Sequence, residues 1–310
     1  MTTTTTKVTE NGAQLFARLE GRRSLRDIEA HIFPDGAGPL QGNVVEFHGI
    51  EGSGKTETLF HLVTRCILPA DRGGLEVEVM YVDTDYHFDM LRLVTVLEPR
   101  LGEEAKEEEG VAAAESEERV RACLGRLSLV HCSSSVQLLL TLHYLENTFC
   151  CRPALCLLVI DSISAFYWVD RSGGGESLAK QEANLKKCSE LLERLLRDYG
   201  VVVFATTHAI MRNYGQSGHA DAAAMTPKQP ESSSSFSSSW RNLSSSHASE
   251  FDKAYLSRAW QKIVTHRVLF SKGEVTQDKR QMFSAACTTT KTIGVKRSSF
   301  CVTEAGVRFL

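Results

Sequence analysis

The sequence predicts a mostly parallel α/β sheet with helices on its faces and an antiparallel ribbon at the C-terminal end. Three observations lead there. Strand-like apolar runs alternate with helix-patterned segments from residue 44 to residue 206, the pattern that sets parallel strands side by side with helices as crossovers. Leu155–Ile160 and Val201–Thr206 are apolar at nearly every position, as strands covered on both faces are. The octapeptide GIEGSGKT, Gly49 to Thr56, joins the first strand to the first helix, and that junction is where a phosphate-cradling loop has to stand.

The first dozen residues are polar and read as frayed. Leu15, Phe16, Leu19, Leu25 and Ile28 then form an amphipathic stripe among arginines, and FPDGAGPLQG, residues 33–42, is a turn-rich boundary. Residues 1–39 are therefore expected to form an N-terminal arm, partly disordered, with Leu15, Phe16 and Leu19 either docking a partner or packing on the chain's own core. Val44–His48 is the first strand, and Lys55–Leu68 has helical spacing stopped by Pro69. Val77–Asp83 is the next strand, and Met90–Leu97 the next helix. An acidic insertion, 102–118, is expected to be solvated or a frayed helix. Leu127–His131 reads as a strand, and Ser133–Ser135 supply capping hydroxyls for a helix over Val136–Phe149. Leu155–Ile160, a helix over Glu176–Asp198, and Val201–Thr206 complete the alternation. Eleven of the nineteen residues 231–249 are serine, too polar to bury a core, so a disordered loop is expected over 212–250. Periodicity resumes at Ile263–Phe270, and Gln281–Ala286 and Ser298–Val302 predict the closing ribbon.

Net charge is −3, which on its face argues against a protein that coats nucleic acid. The figure conceals an asymmetry: Glu103–Glu118 holds eight Glu and one Lys, and the rest of the chain is net +4. Nine scattered cysteines without a CxxC motif predict free thiols in a reducing compartment. No apolar run approaches the ~18–20 residues of a membrane span.

The loop's composition follows from its task. Gly49, Gly52 and Gly54 let the backbone curl around a phosphate, with Ile50, Glu51 and Ser53 completing the turn. Its N–H groups and the helix N-terminus supply partial positive charge. Lys55 is placed to reach β- and γ-phosphates, and Thr56 to ligate Mg²⁺. Asp161, closing the buried run LLVID, is the expected second magnesium ligand. The pattern implies ATP with Mg²⁺ as cofactors. A further buried strand ends in MYVDTDY, with Asp83 and Asp85. The base-reading Asn-Lys-x-Asp of small G-proteins is absent from the sequence, and no arginine-rich lid of the small-molecule kinases is evident. A kinase remains the remote alternative.

Four blocks in order, GIEGSGKT, MYVDTDYHFDMLRL, LLVIDSISAFYWVDRSGGGES and VVVFATTHAIM, resemble the ATPase core of the RecA-type recombinases. The closing segment from Thr265 resembles that family's closing strands, and DTDYHFDMLRL together with the early ARLEG extends the likeness to the eukaryotic recombinase paralogues. The resemblance implies a RecA-like P-loop ATPase core over residues 40–310. It also implies partners among other recombinase paralogues in a heteromeric complex, single-stranded DNA reached through that complex, and a nuclear and also cytoplasmic place of work. Lys296–Arg297 is too short for a basic import signal, so entry with a partner is expected.

Matching residues one by one brings out departures. Asp85 stands where recombinases have the catalytic Glu, and Tyr86 where they have Gly. One lost methylene matters, because a misplacement of about 1 Å costs on the order of a hundredfold in rate. Asp85 is therefore either a weak base or structural. His208 replaces the Gln that senses the γ-phosphate. In the first DNA loop, Asp170–Glu176, SGGGE replaces SGRGE, leaving Arg171 as the nearby cation. The second DNA loop carries Arg212 and Arg241, with Phe236 and Trp240 for base stacking. The expected function is a non-catalytic or weakly catalytic subunit in homologous-recombination repair. The alternative is an autonomous DNA-dependent ATPase with strand-exchange activity.

Overall fold

The computed structural model describes residues 11–12, 23–34, 38–102, 111–173, 179, 182–209, 256–276, 278–290 and 294–310. Among them, nine strands form one sheet in the order β3-β2-β4-β5-β1-β6-β7-β8-β9. The parallel part comprises β1 (Val44–Gly49), β2 (Glu78–Asp83), β3 (Leu127–His131), β4 (Leu155–Asp161) and β5 (Val202–His208). β6 (His266–Val275) adds to β1 in parallel. β7 (Gln281–Thr289), β8 (Val295–Thr303) and β9 (Gly306–Phe309) follow as the antiparallel ribbon.

The helices are α1 (Lys55–Ile67), α2 (Met90–Leu101), α3 (Val111–Leu124), α4 (Ser135–Cys151), α5 (Tyr167–Gly173), α6 (Ala183–Tyr199) and α7 (Arg258–Ile263). One apolar layer joins α1, α2 and α3 to the sheet through Phe47, Leu59, Tyr81, Phe204 and Phe300. The opposite layer carries α4, α6 and α7 on Leu142, Leu158, Leu192 and Trp260. The fully apolar strands are thus sandwiched, as their composition requires.

Local signals explain most boundaries. Ser134 caps α4 by accepting the Gln137 N–H, and Gly200 in the left-handed region (φ 62°) stops α6. Asp89 caps α2 by accepting the Arg92 N–H. That helix runs on through Pro99, past the expected end at Leu97, because buried Leu101 anchors its last turn. α6 starts at Ala183 rather than Glu176, and α5 occupies part of the stretch expected to be the first DNA loop. α5 is held by an i,i+4 contact outside the apolar pattern: Arg171 donates to the Tyr167 hydroxyl at 2.7 Å and lies over the Tyr167 and Trp168 rings. β9 and α7 carried no periodic signal. α7 is fixed by buried Trp260, whose indole N–H donates to Glu46 Oε1 at 3.0 Å. All nine cysteines are free thiols, and only Cys151 is exposed.

The segment 23–34, placed in the arm by sequence, packs into the core: Leu25, Ile28, Ile32 and Phe33 are buried against the α1 layer. Leu15, Phe16 and Leu19 lie outside the described residues. So does the acidic run 103–110, whereas Val120 and Cys123 of α3 are buried. A polar network fastens the segment. His61 Nε2 of α1 donates to Glu29 Oε2 at 2.6 Å, and Arg100 of α2 donates to His61 Nδ1 at 2.8 Å. His31 bonds the other Glu29 oxygen at 2.6 Å and stacks on Phe309 of β9.

Burial pushes the Glu29 carboxyl up, but the bonds from His61 and His31 overcome it and hold the group at about 2. Burial, with Arg100 beside it, holds the His61 imidazole below its ordinary 6.5. Both groups are depressed in the folded chain, so both contribute stability at neutral pH that acid removes. His61's share is lost as pH falls below 6.5, and Glu29's as pH falls from 4.5 towards 2. Urea denaturation across pH 7 to 2 should show this decline. Glu29→Gln should cost about 1–3 kcal/mol at pH 7 and flatten the part of the dependence below pH 4.5.

Candidate functional site

The site stands at the C-terminal ends of β1, β4 and β5, where the loop 49–54 turns into α1. Gly54 is left-handed (φ 91°), and a Cβ there would come within 3.1 Å of the Phe300 ring. At Gly49 a Cβ would come within 2.7 Å of the Phe270 carbonyl oxygen. Both positions require glycine. The Ser53 hydroxyl closes the turn by donating to the Ile50 carbonyl at 2.7 Å, while Glu51 and Gly52 are exposed. Gly54 caps α1 without a side chain, so the first-turn N–H groups face the loop, where they suit an anion.

Lys55 is buried and donates to the carbonyls of Gly49 and Ile50, at 2.8 Å each. Burial pulls its ammonium down to about 8, against the pull of Asp161, Glu51 and Asp85.

Asp161 closes β4 in register with Asp83 of β2. Its carboxylate accepts three hydroxyls: Thr56 at 3.0 Å, Tyr81 at 2.9 Å, and Thr206 at short range. Burial and the adjacent carboxylate push the Tyr81 phenol up, keeping it a neutral donor. Thr84 clamps the turn after β2, giving its hydroxyl to the Ser162 carbonyl at 2.7 Å and accepting the Ser162 N–H at 2.6 Å.

The two acids of MYVDTDY part company. Asp83 is 1% exposed and accepts the N–H groups of His87 and Phe88, so it builds the turn. Asp85 reaches the site: its carboxyl is pushed up by burial and by Asp161, and held back by His208 and a bond from Ser162. Tyr86 sits in the left-handed region (φ 57°) with its ring stacked on His131. His208 lies opposite Gly49 in the ladder, its ring near the hydroxyls of Ser162 and Ser164. Burial and the Lys55 ammonium push the imidazole down.

Gly49, Ile50, Glu51, Gly52, Ser53, Gly54, Lys55, Thr56, Asp85, Asp161 and His208 are thus brought to one place. Arg171 is not: it is exposed on α5. Arg212 and Arg241, with Phe236 and Trp240, lie outside the described residues. Sequence reasoning missed Tyr81, Thr206, Ser162 and Ser164. Tyr81 and Thr206 read as strand fillers, and only their place beside Asp161 in adjoining strands could have marked them.

The residues present fit a magnesium-bound nucleoside triphosphate. A buried ammonium with only carbonyl acceptors is completed by phosphate oxygens. Thr56 and Asp161 would furnish two oxygens to magnesium, leaving the rest of its shell to phosphate and water.

A family profile described as Rad51 matches residues 35–231. The chain belongs to the Rad51 family. Mouse DNA repair protein XRCC2 is 48% identical to it over 303 residues, 97% of either chain. An XRCC2 homolog of Arabidopsis thaliana is 31% identical over 272 residues, covering 76% of this chain and 70% of that one. DNA repair protein RAD51 of Mycosarcoma maydis is 30% identical over 176 residues, 56% of this chain and 46% of that protein. The Rad51-type core accounts for the parallel sheet with its antiparallel ribbon, and these relatives support a recombination-repair role for this Rad51-family chain. Among the described residues, no helix is long and apolar enough to cross a membrane.

The carboxylate of Asp161 should depend on its hydroxyl donors. Tyr81→Phe deletes one and leaves a buried oxygen short of a partner, which should lower stability by about 1–2 kcal/mol in a urea titration.

Proposed function

We propose that the chain is a nucleotide-binding subunit, non-catalytic or weakly catalytic, of a heteromeric complex of Rad51-family paralogues. The complex binds single-stranded DNA in the nucleus and supports homologous-recombination repair of double-strand breaks and damaged forks. One contrast carries this reading. The phosphate loop is complete in every residue, while Asp85 is a shortened acid whose carboxyl burial pushes up, and His208 is a ring bonded to serines whose imidazole burial pushes down. Such a site holds a nucleotide better than it turns one over.

Support for a protein partner comes from α4. Val136, Leu140 and Tyr144, spaced i, i+4, i+8, are 54%, 63% and 74% exposed. They lie on the helix that follows β3, the edge strand of the sheet, in the chain. An exposed apolar stripe of this kind marks a surface for another chain.

When bound, ATP with Mg²⁺ would supply the charge that Lys55, Thr56 and Asp161 are arranged to meet, and would organise the site for assembly. The free Lys55 titrates at about 8, and a triphosphate needs it protonated. Affinity for a fluorescent ATP analogue should therefore fall about tenfold per pH unit above that value, and the slope should vanish in Lys55→Ala.

Co-purification with Rad51-family paralogues tests the assembly. Lys55→Ala should retain the partner, while Leu140→Glu with Tyr144→Glu should lose it; the opposite pattern would sink the proposal. A second reading, an autonomous DNA-dependent ATPase, is favoured by Asp85 lying in the same charge field as Lys55 and Asp161. Turnover by the purified chain, with and without single-stranded DNA, decides between them. The subunit reading expects little stimulation. Robust DNA-stimulated hydrolysis abolished by Asp85→Ala establishes the second.

A further inference from the structure

Glu57 is the acidic residue in the first turn of α1. It follows Lys55 and Thr56 directly, on the helix whose N-terminus opens towards the phosphate loop. With no anion bound, an acid there is favourable, because it meets the positive end of the helix dipole. Towards a triphosphate the same charge is a competitor. It repels the incoming anion and partly cancels the field that attracts it. The dipole's influence falls off within the first turn, and Glu57 lies inside that turn. A loop made to hold phosphate therefore needs this carboxylate neutralised.

Arg92 of α2 supplies the neutralising charge. Its Nε donates to Glu57 Oε1 at 3.0 Å and its Nη2 to Glu57 Oε2 at 2.9 Å. This is the bidentate fork that fixes an arginine and a carboxylate in one geometry. The two side chains are 20% and 27% exposed, so salt screens them less than a fully exposed pair. The remaining donors serve backbone: Nη2 also gives to the Thr303 carbonyl at 2.7 Å, and Nη1 to the Glu304 carbonyl at 2.5 Å. Those carbonyls belong to the turn between β8 and β9. That turn rests on α2, where a Cβ at Gly306 would come within 2.9 Å of the Val96 side chain. Arg92 is held from its own end as well, since its backbone N–H donates to the capping Asp89 at 3.0 Å. The closing turn and the start of α2 thus set where the cation meets Glu57.

We propose that Arg92 is a positioning residue of the nucleotide site: by fixing and neutralising Glu57, it leaves the positive field at the start of α1 free for the triphosphate. It acts through Glu57 rather than by touching the ligand. The proposal rests on the nucleotide reading above, and it adds the turn between β8 and β9 to the elements that tune the site.

The test is a double-mutant cycle on the full-length protein, read by the affinity for a fluorescent ATP analogue with Mg²⁺. Arg92→Ala should weaken binding about two- to fivefold, the effect of one charge at a helix N-terminus. Glu57→Gln alone should not weaken it. The two substitutions together should return affinity to within about twofold of wild type, because the pair interacts directly. Inorganic tripolyphosphate, which carries no base, should displace the analogue with the same order among wild type and variants. Added salt should narrow the gap between wild type and Arg92→Ala. A merely structural Arg92, or one that contacts the nucleotide itself, gives no rescue: the double variant then binds no better than Arg92→Ala. That result, or equal binding by wild type and Arg92→Ala, overturns the proposal. If Arg92→Ala does not fold, Arg92→Gln, which keeps donors for the turn carbonyls, takes its place with the same expectations. Absence of binding by the wild-type chain overturns the nucleotide reading instead, and is recognised before any variant is compared.

Discussion

The Asp161 carboxylate is the constraint on which the site's geometry depends. It ends the central strand β4 and collects hydroxyls from three other elements: Thr56 of α1, Tyr81 of β2 and Thr206 of β5. A buried anion is tolerable only when its lone pairs are occupied, so the position of Asp161 dictates the relative placement of its donors. The phosphate loop, the turn carrying Asp85 and the strand leading to His208 are thereby referenced to one group. The same carboxylate is the candidate magnesium ligand, so the structural centre and the chemical centre coincide.

The Thr84–Ser162 clamp extends this control. Its two short bonds join the turn after β2 to the residue after Asp161, and Asp85 follows Thr84 directly. A small displacement at Asp161 is transmitted to Asp85 through backbone rather than through flexible side chains. The same clamp holds Asp85 and the phosphate loop in one fixed frame.

The sequence made the phosphate loop, Asp161 and the alternation of strands and helices legible because each depends on local composition. Glycine spacing, apolar runs and a terminal carboxylate leave marks within a few residues. Tyr81, Thr206, Ser162 and Ser164 left none, since their importance arises from neighbours 80, 45 and 44 to 46 positions away in the chain. Asp83 and Asp85 looked equivalent by spacing; the family resemblance singled out Asp85, and the turn's hydrogen bonds show Asp83 to be its builder. The helix α5 was read as loop because Arg171 over Tyr167 and Trp168 is a contact between a cation and two rings, invisible to hydrophobic periodicity. The stretch 23–34 was set apart for its turn-rich exit, although its apolar residues were already noted as a stripe.

The stacking of His31 on Phe309 (centroids 4.8 Å apart) brings residues near the two ends of the chain together behind α1, and His61 of α1 meets the same ring edge-on. The back of the phosphate-loop helix is thus sealed by a contact between positions 278 residues apart in the chain. Contacts of such long sequence separation close large loops and form slowly, so the phosphate-loop helix gains its last apolar cover late in folding.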